Sequence, residues 1–257
     1  MKDLPKAVFI TGTDTGVGKT VVTAALAALL LEKGFVTGVI KPFQTGTELD
    51  GLSDAEFVYG FLGRDCALSE VSPCRLRVPL SPYRAAAIEG VNIPLEDIME
   101  HTRDYISRND VTLIEGAGGL CVPVTESYMM ADLAVDLEVP VVIVARPGLG
   151  TLNHTVLSVE YARQRGARVL GVIINGFPEP ADVASATNPA VLRDVFSVNI
   201  LGVLPRFPGL DVEGGSFSGL RQAGENCFSP LFGGKFSVDT FLNGLSEPRR
   251  RKNPFRE

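Results

Sequence analysis

The sequence predicts an α/β protein whose mainly parallel β-sheet carries helices on both faces. Short, near-continuous Val/Ile/Leu runs recur along the chain, the pattern of strands covered on both sides. Helical segments stand between these runs, and such alternation implies parallel strands joined by right-handed crossovers. A glycine-rich turn, TGTDTGVGKT (residues 11–20), joins the first run to the first helix.

AVFIT (7–11) reads as a buried strand. Residues 18–33 read as an amphipathic helix ended by Gly34, and VTGVIK (36–41) as the second strand. Residues 53–62 read as a helix opened by the capping box SDAE, with Ser53 as N-cap and Glu56 three residues later. Pro94, with Glu96 and Asp97, opens another helix that runs to about residue 108. VTLIE (111–115), VPVVIVA (139–145), RVLGVIIN (168–175) and ILGVLP (200–205) complete the strands, with a helix over 151–165. The chain shows no internal repeat and no linker, so residues 1–245 are expected to form one domain. Within it, residues 206–237 are rich in Gly, Pro and Ser and read as an irregular loop region, functional or mobile at that length. Residues 246–257, ending RRRKNPFRE, read as a basic, solvated tail.

Composition excludes several classes. The 257 residues are 45% hydrophobic and 21% charged, as in an ordinary globular protein. A net charge of −6 argues against nucleic acid as a partner, because duplex binding calls for a basic footprint. The longest apolar run, residues 21–31, is short of the roughly 20 residues needed to span a bilayer. No signal peptide precedes the glycine turn, so a cytoplasmic location without membrane attachment is expected. The four cysteines (Cys66, Cys74, Cys121, Cys227) form no C-x-x-C pair and stand apart from His101 and His154. Reduced, mostly buried thiols are expected rather than a zinc site.

The glycine turn ends in Gly18-Lys19-Thr20, the close of the phosphate-loop pattern G-x-x-x-x-G-K-[ST]. That pattern puts its first glycine at position 13, which is Thr13; the glycine is one place earlier, at Gly12. The context is nonetheless the required one, a buried strand before and a helix after. Backbone N–H groups at the helix start would face an anion, Lys19 would reach the terminal phosphates, and the Thr20 hydroxyl would bind magnesium. A magnesium nucleotide site also needs carboxylates. Glu115 ends its strand at the carboxyl edge and is followed by glycines that would let a substrate lie against the backbone. Asp54 stands in the first turn after Ser53, where an acid also simply suits a helix N-terminus. Lys41 ends the second strand at the same edge and could neutralise a transferring phosphoryl group.

In order, T-G-T-D-T-x-V-G-K-T, K-P-x-x-T-G, S-D-A, E-G-A-G-G and L-N-H-T resemble the dethiobiotin synthetase family over residue 8 to about 175. The lengthened phosphate loop is itself a hallmark of that family. The resemblance implies a P-loop NTPase-like fold and a reaction with ATP, Mg²⁺, CO₂ and 7,8-diaminopelargonic acid. The diamine takes up CO₂ as a carbamate, ATP phosphorylates it, and the second amine closes the ureido ring of dethiobiotin.

It further implies that Gly16, Val17, Gly18, Lys19, Thr20 and Val21 hold the ATP phosphates. Thr20, Asp54 and Glu115 would surround the metal ions, with Gly116, Ala117 and Gly118 beside them. Lys19 and Lys41 would stabilise the carbamate and the moving phosphoryl group. Thr15, Thr45 and Gly118 would orient the diamine. Gly150, Thr151, Leu152 and Asn153 of a second subunit would receive its carboxylate, which implies a homodimer. Asn175 and Gly176, with Pro205, Arg206 and Phe207, would frame adenine, and Glu213 would contact the nucleotide. Tyr83 stands where histidine is frequent in the family and takes no role.

Two other readings share the loop. An amidotransferase-type synthase would need a glutaminase domain with a catalytic cysteine, and no cysteine here has that setting. A partitioning-type ATPase switch would carry a lysine early in the loop, where this chain has GTDTG.

Overall fold

A computed structural model describes residues 6–47, 51–220 and 236–246. Six parallel strands form the central sheet: β1 (Lys6–Gly12), β2 (Thr37–Ile40), β5 (Val111–Gly119), β6 (Val141–Ala145), β7 (Val169–Phe177) and β8 (Ile200–Pro205). Their order is β2-β5-β1-β6-β7-β8. Between them run α1 (Lys19–Glu32), α2 (Asp54–Phe61), α3 (Leu68–Val71), α4 (Pro82–Glu89), α5 (Leu95–Ser107), α6 (Met130–Asp136), α7 (Thr151–Gln164) and α8 (Val183–Asp194). Two small pairs stand apart: β3 (Phe43–Thr45) runs parallel to β4 (Cys74–Leu76), and β9 (Leu210–Asp211) antiparallel to β10 (Ser216–Phe217). The last described helix, α9, spans Val238–Ser246.

The topology explains where a site can form. The chain leaves β1 toward β2 at one edge, then crosses from β5 over β1 to β6 and moves outward to β7 and β8. Right-handed crossovers therefore put α1 on one face and α6, α7 and α8 on the other. The direction of travel reverses at β1, which opens a crevice at the carboxyl ends of the central strands.

Burial follows the Val/Ile/Leu runs. Val8, Phe9 and Ile10 of β1, Val111, Leu113 and Ile114 of β5, and all of β6 are fully buried. The expected amphipathic character of α1 is not what the structure has. Eleven of its residues are buried, on all sides, because Ala and Leu fill the whole helix rather than one stripe. The capping box at Ser53 is present: Glu56 N–H donates to Ser53 Oγ at 3.3 Å and Ser53 N–H to Glu56 Oε2 at 2.9 Å.

Several expectations are corrected. β5 continues past Glu115 to Gly119, because Gly119 pairs with Gly12 of β1 beyond a register shift that follows Ile10. β2 ends at Ile40, and Lys41 N–H turns out to donate to the Val71 carbonyl at 2.8 Å. Part of the stretch read as irregular is ordered: β9 and β10 form a hairpin inside 206–220. Residues 221–235 lie outside the described residues, as do 247–257 of the tail, whose first residue, Ser246, ends α9. Arg168 holds α9 in place by donating to the Gly244 carbonyl at 2.6 Å and the Leu245 carbonyl at 3.3 Å. Among the described cysteines, Cys74 is buried, Cys66 half-buried and Cys121 exposed, all as free thiols; Cys227 lies outside the described residues. Among the described residues, no helix is long and apolar enough to cross a membrane.

Candidate active site

A cleft of about 1050 Å³ opens at the carboxyl edge, where β1, β5 and β7 end. The phosphate loop forms its floor. Gly18 has φ +90°, and a Cβ there would lie 2.0 Å from Asn175 Nδ2, so both backbone and neighbour demand glycine. Asn175 reaches across from β7 and donates to the Val17 carbonyl at 3.0 Å. The Val17 side chain is buried in the core. The extra residue of the loop is stabilised by Asp14. Its carboxylate accepts from Thr15 N–H at 2.8 Å and from Arg146, after β6, at 2.8 Å, while its carbonyl lies 3.4 Å from Lys19 Nζ.

Behind the loop four side chains converge, from α1, α2, β5 and the residue that follows β2. Thr20 of α1 has its Oγ1 2.6 Å from Asp54 Oδ1 and 2.9 Å from Glu115 Oε1. Lys41 Nζ contacts Asp54 Oδ2 and lies 3.1 Å from Glu115 Oε1. The capping box explains how Asp54 can be there: Ser53 and Glu56 satisfy the helix terminus, so the Asp54 carboxylate is left to face Thr20 and Lys41. Lys19, Thr20, Lys41 and Glu115 are all buried.

Burial shapes the charges. It lowers the pKa of Lys19, and the nearby Lys41 ammonium adds to that, outweighing the pull of Glu115, Asp54 and Asp14. Burial alone would push Lys41 down too, but Glu115 and Asp54 outweigh it and hold Lys41 above the ordinary lysine range. Burial works against ionised Asp54, yet the charge and hydrogen bond of Lys41, with the Thr20 hydroxyl, hold it below the ordinary aspartate value.

The oxygen cluster suits a hard cation. A hydroxyl has one proton, so Thr20 can donate to one of its two carboxylate neighbours at a time. Thr20 Oγ1, Asp54 Oδ1 and Glu115 Oε1 thus converge, with the Thr20 proton and the Lys41 ammonium beside them, and oxygen donors are what Mg²⁺ selects. Two buried ammonium groups, at Lys19 and Lys41, face the same space and favour an anion in it.

The sequence-predicted residues divide cleanly. Thr15, Gly16, Gly18, Lys19, Thr20, Val21, Lys41, Thr45 and Asp54 line the cleft, with Glu115, Ala117 and Gly118. Asn175, Gly176, Pro205, Arg206, Phe207 and Glu213 line it further along. Val17 and Gly116 do not; a Cβ at Gly116 would press on the Phe9 ring at 2.8 Å. Gly150, Thr151, Leu152 and Asn153 are also absent from this cleft. They form the start of α7, with Gly150 as N-cap at φ +90°. Sequence reasoning missed Gln44, Arg75, Ser81 and the wall made by Leu210, Asp211 and Val212. Gln44 lay between two chosen residues, Lys41 and Thr45, and could have been found; Arg75 is in a three-residue strand with no pattern to reveal it.

A family model described as an AAA domain matches residues 6–213. The chain is 44% identical to an ATP-dependent dethiobiotin synthetase of Bacillus licheniformis over 78% of this chain and 86% of that protein. Proteins with the same description in Bacillus subtilis strain 168 and Aquifex aeolicus are each 37% identical. These matches cover 80% of this chain and 89% of the relative, and 86% and 98%, respectively. Among solved structures, a ParA family ATPase from Chlorobium tepidum superposes with TM-score 0.51 at 16% identity, over 79% of this chain and 86% of that one. The septum site-determining protein MinD from Pyrococcus horikoshii gives 0.50 at 20%, over 79% and 82%. At these identities the structural likeness establishes the P-loop NTPase-like fold alone.

Proposed function

The chain belongs to the ATP-dependent dethiobiotin synthetase family, a set of enzymes of biotin biosynthesis, and on that premise we propose a residue-level account of its reaction. The substrates are 7,8-diaminopelargonic acid, CO₂ and ATP. One amine attacks CO₂ and loses a proton, giving a carbamate. A carbamate oxygen attacks the γ-phosphorus, the bond to the β-phosphate oxygen breaks, and ADP leaves. The second amine then attacks the carbonyl carbon of the mixed anhydride and loses a proton, the bond from that carbon to the phosphate oxygen breaks, phosphate leaves, and the ureido ring closes.

The observation that carries this account is the convergence of Thr20, Asp54, Glu115 and Lys41 beside the phosphate loop. Thr20, Asp54 and Glu115 are the residues that would hold Mg²⁺. The bound ion would neutralise phosphate charge. Lys19 and Lys41 bear on the oxygens whose charge grows as the phosphoryl group moves. Such positioning and neutralisation supply most of the catalysis in phosphoryl transfer. Burial serves this role, because water screens a buried ammonium poorly.

Gly16 to Val21 hold the phosphates through the loop and helix start. Asn175 and Gly176, with Pro205 to Phe207, frame the base, and Glu213 reaches the nucleotide. Thr15, Thr45 and Gly118 orient the diamine. The α7 start, Gly150 to Asn153, receives the substrate carboxylate from a second subunit. Leu149, which precedes it, is 92% exposed, and this supports placing that segment against another chain. The enzyme is thus a cytoplasmic homodimer in this reading.

The alternative, a P-loop switch driven by a macromolecule, is separated by phosphate release. We expect ATP turnover to require the diamine with bicarbonate, and to be unmoved by duplex DNA or anionic vesicles. Stimulation by DNA or vesicles, with none by diamine, would replace this account with the switch.

A further inference from the structure

The hairpin β9–β10 is tied to the helix that carries Asp54. The Phe217 ring of β10 lies 5.0 Å from the Phe57 ring and 5.7 Å from the Phe61 ring, both of α2, in tilted arrangements. Gly60, between them, leaves room for it: a Cβ there would be 3.3 Å from Phe217 Cζ. The hairpin is also bonded to the segment leading into α2. Leu52 N–H donates to the Glu213 carbonyl at 3.0 Å, and a Cβ at Gly51 would meet that carbonyl at 2.9 Å. Leu52 Cδ1 in turn lies 2.9 Å from where a Cβ of Gly215 would be.

The same hairpin has a second face. Leu210, Asp211, Val212 and Glu213 line the cleft beyond Pro205 to Phe207. Its fold is fixed internally: Gly214 N–H donates to Asp211 Oδ1 at 3.1 Å, and Ser216 Oγ to the Gly209 carbonyl at 2.7 Å. One short element therefore touches the nucleotide end of the cleft with one side and the back of α2 with the other. Asp54 is the first residue of α2.

We propose that Phe217 is a positioning residue: docked between Phe57 and Phe61, it sets α2 and so places the Asp54 carboxylate for Mg²⁺, and the hairpin links nucleotide binding to that placement. This deepens the synthetase reading and rests on its assignment of the cleft to Mg²⁺ and ATP. By reciprocity, nucleotide bound against the hairpin would raise affinity at the carboxylate cluster, and the cation would raise affinity for nucleotide. Groups that orient a metal ligand from behind are worth about 10–100-fold in metal affinity or activity.

The test is calorimetric binding of a non-hydrolysable ATP analogue across a Mg²⁺ titration, with melting curves on the same samples. Phe217→Ala is expected to raise the Mg²⁺ needed for half-maximal tight binding by roughly tenfold, with analogue affinity in EDTA changed by less than about threefold. Phe217→Met, which keeps apolar contact, is expected to recover most of the loss. Gly60→Leu attacks the same contact from α2, gains helix propensity, and is expected to repeat the alanine result. It also stands in if Phe217→Ala does not fold. A lowered melting temperature with an unchanged Mg²⁺ profile in both variants would show a purely structural contact and overturn the proposal. The binding titration needs no diamine, so it decides this point even if diamine-dependent turnover is absent and the synthetase reading fails.

Discussion

Replacing Lys41 by methionine keeps an unbranched apolar stem as far as Cε but removes the ammonium that contacts Asp54 and Glu115. The two carboxylates then share Thr20 with no cation from position 41 between them. Breaking a buried ion pair by deleting one partner costs about 3–5 kcal/mol. Glu115 is 2% exposed and Asp54 25%, so solvent relieves part of the cost and the expected loss at pH 7 is about 3 kcal/mol. For a chain of this size that corresponds to a fall in Tm of roughly 6–12 °C.

In the parent protein the Asp54 pKa lies below the ordinary 3.8, so its contribution is present above pH 3.8 and is lost as pH falls through the folded value. The Lys41 pKa is raised above 10.5, so its contribution is complete below pH 10.5 and is lost only as pH rises through the folded value. In the variant, Asp54 loses the charge and hydrogen bond of Lys41 that outweighed its burial, so its carboxyl moves up and the folded state binds an extra proton. The stability gap between parent and variant should therefore narrow as pH falls from about 7 to about 5. Chemical denaturation across that range is the assay. A gap under about 1 kcal/mol at pH 7, or one independent of pH, would refute the claim that Lys41 neutralises this pair.

Other substitutions probe separate links. Lys19→Ala should lower turnover by roughly 10²-fold or more, read by phosphate release; near-normal turnover would remove Lys19 from the transition state. Thr20→Val removes one of the converging oxygens, and is expected to raise the Mg²⁺ requirement for ATP use by roughly tenfold; an unchanged magnesium titration would exclude that role. Gly18→Ala collides with Asn175 and puts alanine at φ +90°, a backbone strain of about 1 kcal/mol, so ATP affinity should fall by at least about tenfold in calorimetric binding; an affinity within about twofold of the parent would refute the need for glycine there. Arg146→Ala breaks an exposed pair with Asp14, and a stability change under about 1 kcal/mol is expected from denaturation; a larger loss would show that this ion pair holds the lengthened loop.

Much of the fold was legible because its strands are buried on both faces. ILGVLP occupies the predicted residues of β8, and the Ser53 capping box is formed as read. The glycines after Glu115 hid the continuation of β5, since strand propensity is low at glycine and the pairing with Gly12 is a tertiary effect. The all-round burial of α1 was likewise invisible to a search for one apolar stripe. β3 and β4, at three residues each, are too short for periodicity, and α8 carries Pro189 in its interior, which reads as a breaker. At the site, spacing suggested Lys19, Thr20 and Glu115 but left Asp54 open between ligand and helix terminus. The structure separates those roles by giving the terminus to Ser53 and Glu56. The hairpin contact of Phe217 with α2 joins residues far apart in sequence, and nothing local to either segment announces it.

In the proposed function the cluster of Lys19, Thr20, Lys41, Asp54 and Glu115 couples ATP cleavage to ring closure of a diamine. The most direct measurement is simultaneous quantitation of phosphate and dethiobiotin with ATP, Mg²⁺, bicarbonate and 7,8-diaminopelargonic acid. Equal amounts of the two products, with neither formed when the diamine is withheld, are the predicted result. Phosphate released without dethiobiotin, or at the same rate with and without the diamine, would contradict it.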